Sequence, residues 1–295
     1  MRVNPMADTS SIVLDLTRLL PGPLAARMLA EMGYQVLRLE PPSGDPARQH
    51  APEVYAWLNR GKETRTLDLK SEAGCEKLKA LAGEAVALLE TNRPGVMERL
   101  GVGPDVLRAE NPGLTYVRIA GYRSENSPGH DLAYLAGAGL LDHWEGAWQK
   151  LQVADSTGAF WAVIAAQQGM LLGGGFYEVY LAETANTLAY PRVPDIDGSA
   201  VCYSVYLARG GKVALTVLEP HMWERFCRAL NREDWLSGAF SPTNPENPVY
   251  RGIQQTFMTQ NAHEWEAWAK AEDLPLRAVQ PYRAPASLLP WKRIG

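Results

Sequence analysis

Between Ile12 and Ala120 the chain repeats one pattern: a short apolar run, a turn, a helical stretch and another apolar run. Ile12–Leu16 leads into Pro21-Gly22-Pro23, after which Leu24, Met28, Leu29 and Met32 recur at helical spacing until Gly33. Pro23 suits a first helical turn, where its missing N–H is no loss, and Gly33 suits a helix end. Gln35–Glu40 is extended again. The same order returns as a strand over Thr64–Leu69, a helix over Ser71–Gly83 and a strand over Val86–Glu90. Short helices around Val96–Leu100 and Pro104–Glu110 and a strand over Leu114–Ala120 complete the series. Alternation of this length predicts an α/β fold, a mostly parallel sheet with helices on both faces, with ligands outside the carboxyl ends of the strands.

Beyond Gly129 the spacing predicts helices over His130–Leu141 and Gly158–Leu172, and Gly173-Gly174-Gly175 reads as a helix stop. Val201–Ala208 and Lys212–Leu218 flank Arg209-Gly210-Gly211, a hairpin that opens a smaller α+β domain. Helices over Pro220–Leu230, Pro248–Met258 and Ala262–Ala271 follow, the last capped by Asn261. The expected division is a large α/β domain over 1–195, a small domain over 196–280 and a tail over 281–295. Trp265 and Trp268, with Trp144 and Trp148, sit at helical spacings that suit core packing or a dimer contact.

Composition removes several classes of function. A net charge of -4, from 29 basic and 33 acidic residues, argues against a nucleic-acid binder, so any phosphate site is local. The longest apolar run, Ala159–Ala166, is far below the roughly 18 to 20 residues of a membrane span. Met1–Ser11 lacks the apolar core of a secretory signal, which makes the cytoplasm the expected compartment. The three cysteines, Cys75, Cys202 and Cys227, have neither disulfide nor zinc spacing, and no metal is expected.

Candidate chemistry gathers at strand ends and helix starts. Arg38, Arg60 and Lys62, Arg93 and Arg99 fall on one edge of a parallel sheet, either as a polyphosphate site or as solvated surface charge. Glycine patterns of dinucleotide or P-loop sites are absent. Gly129-His130-Asp131 stands at a loop-to-helix transition, where Asp131 is either a cap or part of an anion site that a neighbouring His could serve with protons. Asp155 equally suits the cap of the next helix, and Glu219, before Pro220, a first-turn acid.

The words in which these residues stand narrow the choice. Ile12-Val13-Leu14-Asp15-Leu16-Thr17-Arg18, Pro21-Gly22-Pro23 and Gly33-Tyr34-Gln35-Val36-Leu37-Arg38-Leu39-Glu40-Pro41 with Gly44-Asp45 resemble the opening of the family III CoA-transferases, the group that includes alpha-methylacyl-CoA racemase. Leu58-Asn59-Arg60-Gly61-Lys62, Leu67-Asp68-Leu69-Lys70, Asn92-Arg93-Pro94-Gly95-Val96 and Glu98-Arg99-Leu100-Gly101 match in order, and Gly129-His130-Asp131-Leu132-Ala133-Tyr134 is similar to the racemase version. The likeness is strong over residues 11 to 180 and thin afterwards.

The resemblance implies a Rossmann-like fold in an interlocked homodimer and a CoA thioester as substrate, with no covalently bound cofactor. It implies that Arg38, Leu58, Asn59, Arg60, Gly61, Lys62, Asn92, Arg93, Arg99, Gly129 and Tyr134 hold CoA. In the racemase branch His130 and Asp155 inherit the paired acid and base and Glu219 the residue that orients the His. In the transferase branch Asp131 inherits the nucleophile that forms an aspartyl-CoA thioester. Racemisation of a 2-substituted acyl-CoA is the leading expectation. CoA transfer between carboxylic acids and a non-catalytic CoA-binding or assembly subunit are the alternatives. Against the family the chain reads short between about Glu183 and Tyr203 and at Trp291–Gly295, and Ser156-Thr157-Gly158-Ala159-Phe160 replaces a run of glycines.

Overall fold

Side chains of the first strands point alternately into two separate cores, the signature of a sheet covered on both faces. A computed structural model describes residues 11–124, 126–141, 151–188, 197–281 and 284–290. The chain forms two compact units, Met1–Tyr190 with Pro285–Gly295, and Pro191–Ala284.

In the first unit β1 (Ile12–Leu16), α1 (Pro21–Glu31), β2 (Gln35–Glu40), α2 (Ala47–His50), α3 (Pro52–Leu58), β3 (Glu63–Thr66), α4 (Glu72–Glu84) and β4 (Ala85–Glu90) follow the expected alternation. After these come α5 (Val96–Arg99), α6 (Pro104–Glu110), β5 (Thr115–Ala120), α7 (Asp131–Gly137), α8 (Val153–Leu172), β6 (Gly175–Tyr180) and α9 (Leu181–Asn186). The six strands are all parallel, in the order β3-β2-β1-β4-β5-β6. On one face Val13, Val36, Leu89 and Val117 pack with Leu29 of α1 and Ala162 and Ala166 of α8. On the other Leu14, Leu37, Leu88 and Tyr116 pack with Leu78 of α4 and Leu107 of α6. Each fully buried leucine contributes roughly 1.5–3 kcal/mol, so the two cores are what hold the helices in place.

Several elements differ from the expectation: α2, α3 and α9 stand where no helix is predicted, and β3 covers Glu63–Thr66 in place of Thr64–Leu69. α7 is short, ending at Gly137, and α8 begins at Val153, ahead of the predicted Gly158. Gly173 does stop α8, with φ of 82°, but the glycines feed directly into β6, which pairs with β5. β6 reads poorly because it is an edge strand with apolar residues on both faces, Phe176 on the exposed one and Tyr177 and Val179 on the other.

The second unit holds β7 (Tyr203–Ala208), β8 (Gly211–Thr216), α10 (Pro220–Ala229), a 3-10 turn (Glu233–Gly238), α11 (Pro248–Phe257), α12 (Ala262–Ala271) and β9 (Leu276–Ala278). Its antiparallel sheet has the order β7-β8-β9. The expected hairpin turns at Arg209-Gly210, with Gly210 at φ of 71°. Asn261 caps α12 in a reciprocal capping box with Glu264. Trp265 is buried and meets Trp268 edge to face at 5.3 Å, in a core with Phe226 and Phe257. Trp144 and Trp148 lie outside the described residues.

The helix that carries Asp155 lies against β5 because Gly169 lets it: a Cβ there would stand 2.2 Å from Thr115 Cγ2 and 2.8 Å from a Tyr177 ring carbon. Gly169→Ala is therefore expected to lower stability by about 1–3 kcal/mol. Gly83→Ala, at an exposed position of α4 with nothing within 4 Å of the added carbon, should stabilise by roughly 0.5–1 kcal/mol. Urea titration of both variants checks the pair. Equal effects would mean that close packing does not seat α8.

Candidate active site

β1 and β4 are neighbours in the sheet, and the chain leaves them toward opposite flanks, β2 on one side and β5 on the other. A crevice at the carboxyl ends of strands is expected where the order reverses in this way. Two cavities lie there, of about 510 Å³ and 260 Å³, and both are bordered by Arg18 after β1 and Asn92 after β4.

The larger cavity rests on a buried ion network. Asp15, on β1, is completely buried. It accepts from Arg38 Nη1 at 3.3 Å and from Lys62 Nζ at 2.8 Å. Burial pushes the Asp15 carboxyl upward, and Lys62 and Arg38 outweigh it, so it stays below the ordinary carboxylate range. Arg38 also donates to Glu40 Oε1 at 2.8 Å and pairs with Asp45. Glu40 in turn accepts from Tyr55 Oη at 2.6 Å and from Arg48 Nε at 3.0 Å. Arg38 borders the cavity, but its charge is spent on three carboxylates.

The smaller cavity brings the acid-base candidates together. His130, the N-cap residue of α7, Asp155, in the first turn of α8, and Tyr134, Gly129 and Arg93 all line it. Burial, then the neighbouring Asp131, pushes the Asp155 carboxyl up to about 6, against the opposing pull of His130. Tyr134 packs edge to face on Tyr122 at 5.1 Å between ring centroids, and burial raises its hydroxyl to about 12. Gly129 and Gly121 are glycines for this ring: a Cβ on either would stand within 2.8 Å of Tyr134 atoms. These contacts explain the spacing of Gly129 and Tyr134 in the sequence without conservation or motif.

Several expected ligand residues are instead part of the scaffold. The Lys62 side chain is fully buried, and its ammonium donates to Asp15, to Pro23 O at 2.9 Å and to Asn59 Oδ1 at 3.1 Å, so it has no donor left for a phosphate. Asn59 Nδ2 donates to Tyr55 O at 2.9 Å, and Leu58 is core. Arg60 and Gly61 are exposed beyond this loop and Arg99 is exposed on α5; none of the three borders either cavity. Asp131 does not line the smaller cavity; its Oδ1 accepts from the backbone N–H of Asp155 at 2.9 Å. Of Asp131, to which the resemblance gave the nucleophile, and Asp155, only Asp155 lines this cavity. Nor does Asp131 cap its own helix, since the N-cap residue is His130. Glu219 belongs to the second unit, where it precedes Pro220 as the N-cap residue of α10.

Two cations that spacing did not single out face the larger cavity, Arg18 and Lys70. Both are exposed and, among the described residues, neither makes an ion pair. Each follows a strand closely, Arg18 after β1 and Lys70 after β3, which is the position that could have revealed them. Among the described residues no group of three or more His, Cys, Asp or Glu is placed to hold a metal ion, and no helix is long and apolar enough to cross a membrane.

Known proteins resemble this chain in sequence and fold. The probable fatty acyl-CoA transferase Rv3272 of Mycobacterium tuberculosis is 40% identical over 141 residues, 43% of this chain and 36% of that protein. Human alpha-methylacyl-CoA racemase is 31% identical over 294 residues, 88% of this chain and 74% of that protein. The crystal structure of Rv3272 superposes with a TM-score of 0.81 at 25% identity, covering 95% of this chain and 84% of that one. The chain thus matches little more than a third of the first relative and about three quarters of the second. The family model of CoA-transferase family III matches residues 10–173 and 176–288, so with sheet, crevice and sequence in agreement the chain belongs to CoA-transferase family III.

Proposed function

We propose that the chain is an acyl-CoA racemase or epimerase that exchanges the α-proton of a 2-substituted acyl-CoA thioester. CoA enters as part of the substrate, and neither a metal nor a covalently held cofactor takes part. The observation that carries this reading is that His130 and Asp155 line one cavity while the Asp155 carboxyl is raised to about 6. A thioester carbonyl acidifies the adjacent C–H. Neutral His130 removes that proton from one face, the electron pair moves onto the thioester oxygen as an enolate, and protonated Asp155 returns a proton to the other face. The reverse direction uses the Asp155 carboxylate and the His130 imidazolium. Both working states hold one proton between the two groups, so activity is bounded on the acid and the alkaline side.

In this reading Arg18, Lys70, Asn92 and Arg93 meet the polar parts of CoA, and the acyl end reaches past Arg18 and Asn92 into the smaller cavity. The human racemase, matched over 88% of the chain, supports this reading.

A second reading, CoA transfer, is favoured by the Asp155 side chain, which faces the cavity and has no hydrogen-bond partner among the described residues. Its carboxylate would attack the acyl-CoA carbonyl and expel the CoA thiolate. The thiolate would then attack the aspartyl carbonyl, giving aspartyl-CoA and the free acid.

We further propose a homodimer formed through α8. Phe160, Trp161, Ile164, Leu171 and Leu172 fall on one side of this helix and are 43% to 81% exposed, an apolar strip that a monomer rarely leaves in water.

Incubation with a chiral 2-methylacyl-CoA in heavy water should give α-deuterium without any acceptor, with a rate that falls on both sides of an optimum. No incorporation, with acceptor-dependent CoA movement and a hydroxylamine-sensitive adduct that disappears in Asp155→Ala, would replace racemisation with transfer. Silence in both assays with CoA still bound would leave a CoA-binding subunit. For the assembly, sedimentation should give twice the chain mass for the wild type and a monomer for Ile164→Asp; a monomeric wild type contradicts the dimer.

A further inference from the structure

Asp131 is a buried acid that the proposed proton exchange does not use. It is 6% exposed, and its two oxygens have different fates. Oδ1 accepts the Asp155 backbone N–H at 2.9 Å, which ties the start of α7 to the first turn of α8. Oδ2 is buried and, among the described residues, has no hydrogen-bond partner. A helix cap needs only one acceptor, and a neutral Asn or Ser supplies it without burying charge. A carboxylate with one oxygen left without a donor is costly, and such an exception calls for a reason.

The reason lies in what Asp131 stands beside. We propose that Asp131 is a positioning residue whose carboxyl, bound to the Asp155 backbone N–H and with its second oxygen buried and unpartnered, enlarges the proton-carrying fraction of the Asp155 carboxyl. The inference rests on the reading of His130 and Asp155 as the reacting pair. Two like charges at close range disfavour ionisation, and Asp155 is the member that faces the cavity. The same contact fixes the Asp155 backbone, so charge and position come from one side chain.

The other groups around Asp155 do not supply this effect. On the α7 side His130 acts in the opposite sense, and the Tyr134 hydroxyl, on whose ring Tyr122 packs, is neutral in this range. Arg18 and Arg93, which line the cavity, are cations and favour the ionised acid. On α9 Glu183 is paired with Arg123 at 3.7 Å, and α8 has no other titratable side chain among its residues. Asp131 is the acid that opposes the cations.

The test is carbon-13 NMR of protein labelled at the aspartate carboxyl carbon, with the Asp155 signal identified by its loss in Asp155→Asn. In the wild type, Asp155 should titrate near 6, and the Asp131 signal should shift at the same midpoint because the two are coupled. In Asp131→Asn, which keeps an acceptor for the N–H, the Asp155 midpoint should fall by about half a unit to one unit. One unit means a roughly tenfold smaller protonated fraction at neutral pH. The pH profile of α-deuterium exchange should move toward lower pH as a whole, a change that a purely structural cap would not cause. Asp131→Ser, with a neutral hydroxyl acceptor, should behave alike if the Asn variant fails to fold.

An Asp155 midpoint that stays in place in a folded variant overturns the proposal. So does a wild-type Asp131 signal that does not respond at the Asp155 midpoint, a result that needs no variant to fold. The carboxyl titration is read without substrate. Absent exchange with the coupled shifts intact therefore rejects racemisation and keeps the pairing, whereas exchange with no coupling does the reverse.

Discussion

The reversal of strand order beside β1 decides where chemistry is possible in the first unit. Parallel strands joined through helices leave their carboxyl ends on one edge, and the connections from β1 and β4 part in opposite directions. The crevice between them is a consequence of chain topology. Every residue that borders both cavities, Arg18 and Asn92, follows one of those two strands. α7 and α8 then close the second cavity from the β5 side, and the small residues of α8 that face the sheet, Ala162, Ala166 and Gly169, let it approach closely.

Charge in this unit divides into two populations. Asp15, Arg38, Lys62 and Glu40 are buried in one hydrogen-bonded network that joins β1, β2 and the loop after α3. Such a network is not a strong source of net stability, but removing one member strands its partners, so it fixes geometry. Arg18, Lys70 and Arg93 stand outside it and are exposed to whatever fills the crevice. An acidic chain thus presents local positive charge at the crevice while its buried cations are neutralised beneath.

Much of the first unit was legible from periodicity. β1, β2 and α6 have the expected bounds, because each combines a clear apolar period with a proline or glycine boundary. β6 was not legible: as an edge strand it lacks a strict alternation, and the three glycines before it mask its start. The site was legible in kind and less so in detail. His130, Asp155, Tyr134 and Gly129 do line one cavity. Lys62 looked like a ligand because strand-end cations usually face solvent, and Asn59 because of the family resemblance; only the three-dimensional return of Asp15 beneath Lys62 reveals that both are spent within the protein. The different placement of Asp131 and Asp155 was likewise hidden. Sequence gives both acids at helix starts, and which one points outward depends on how α7 packs against α8.

Proton exchange through two groups makes a demand that transfer through one carboxylate does not: each face of the substrate α-carbon must have its own base. His130 and Asp155 come from different helices that border the same cavity, an arrangement suited to reaching a carbon from two sides. The most direct measurement is α-deuterium wash-in from each pure enantiomer of a 2-methylacyl-CoA in heavy water, with His130→Ala and Asp155→Ala compared in parallel. The two variants are predicted to lose wash-in from opposite enantiomers, each retaining exchange at the face served by the surviving group. Loss from the same enantiomer in both variants, or no loss in either, would contradict the two-sided account.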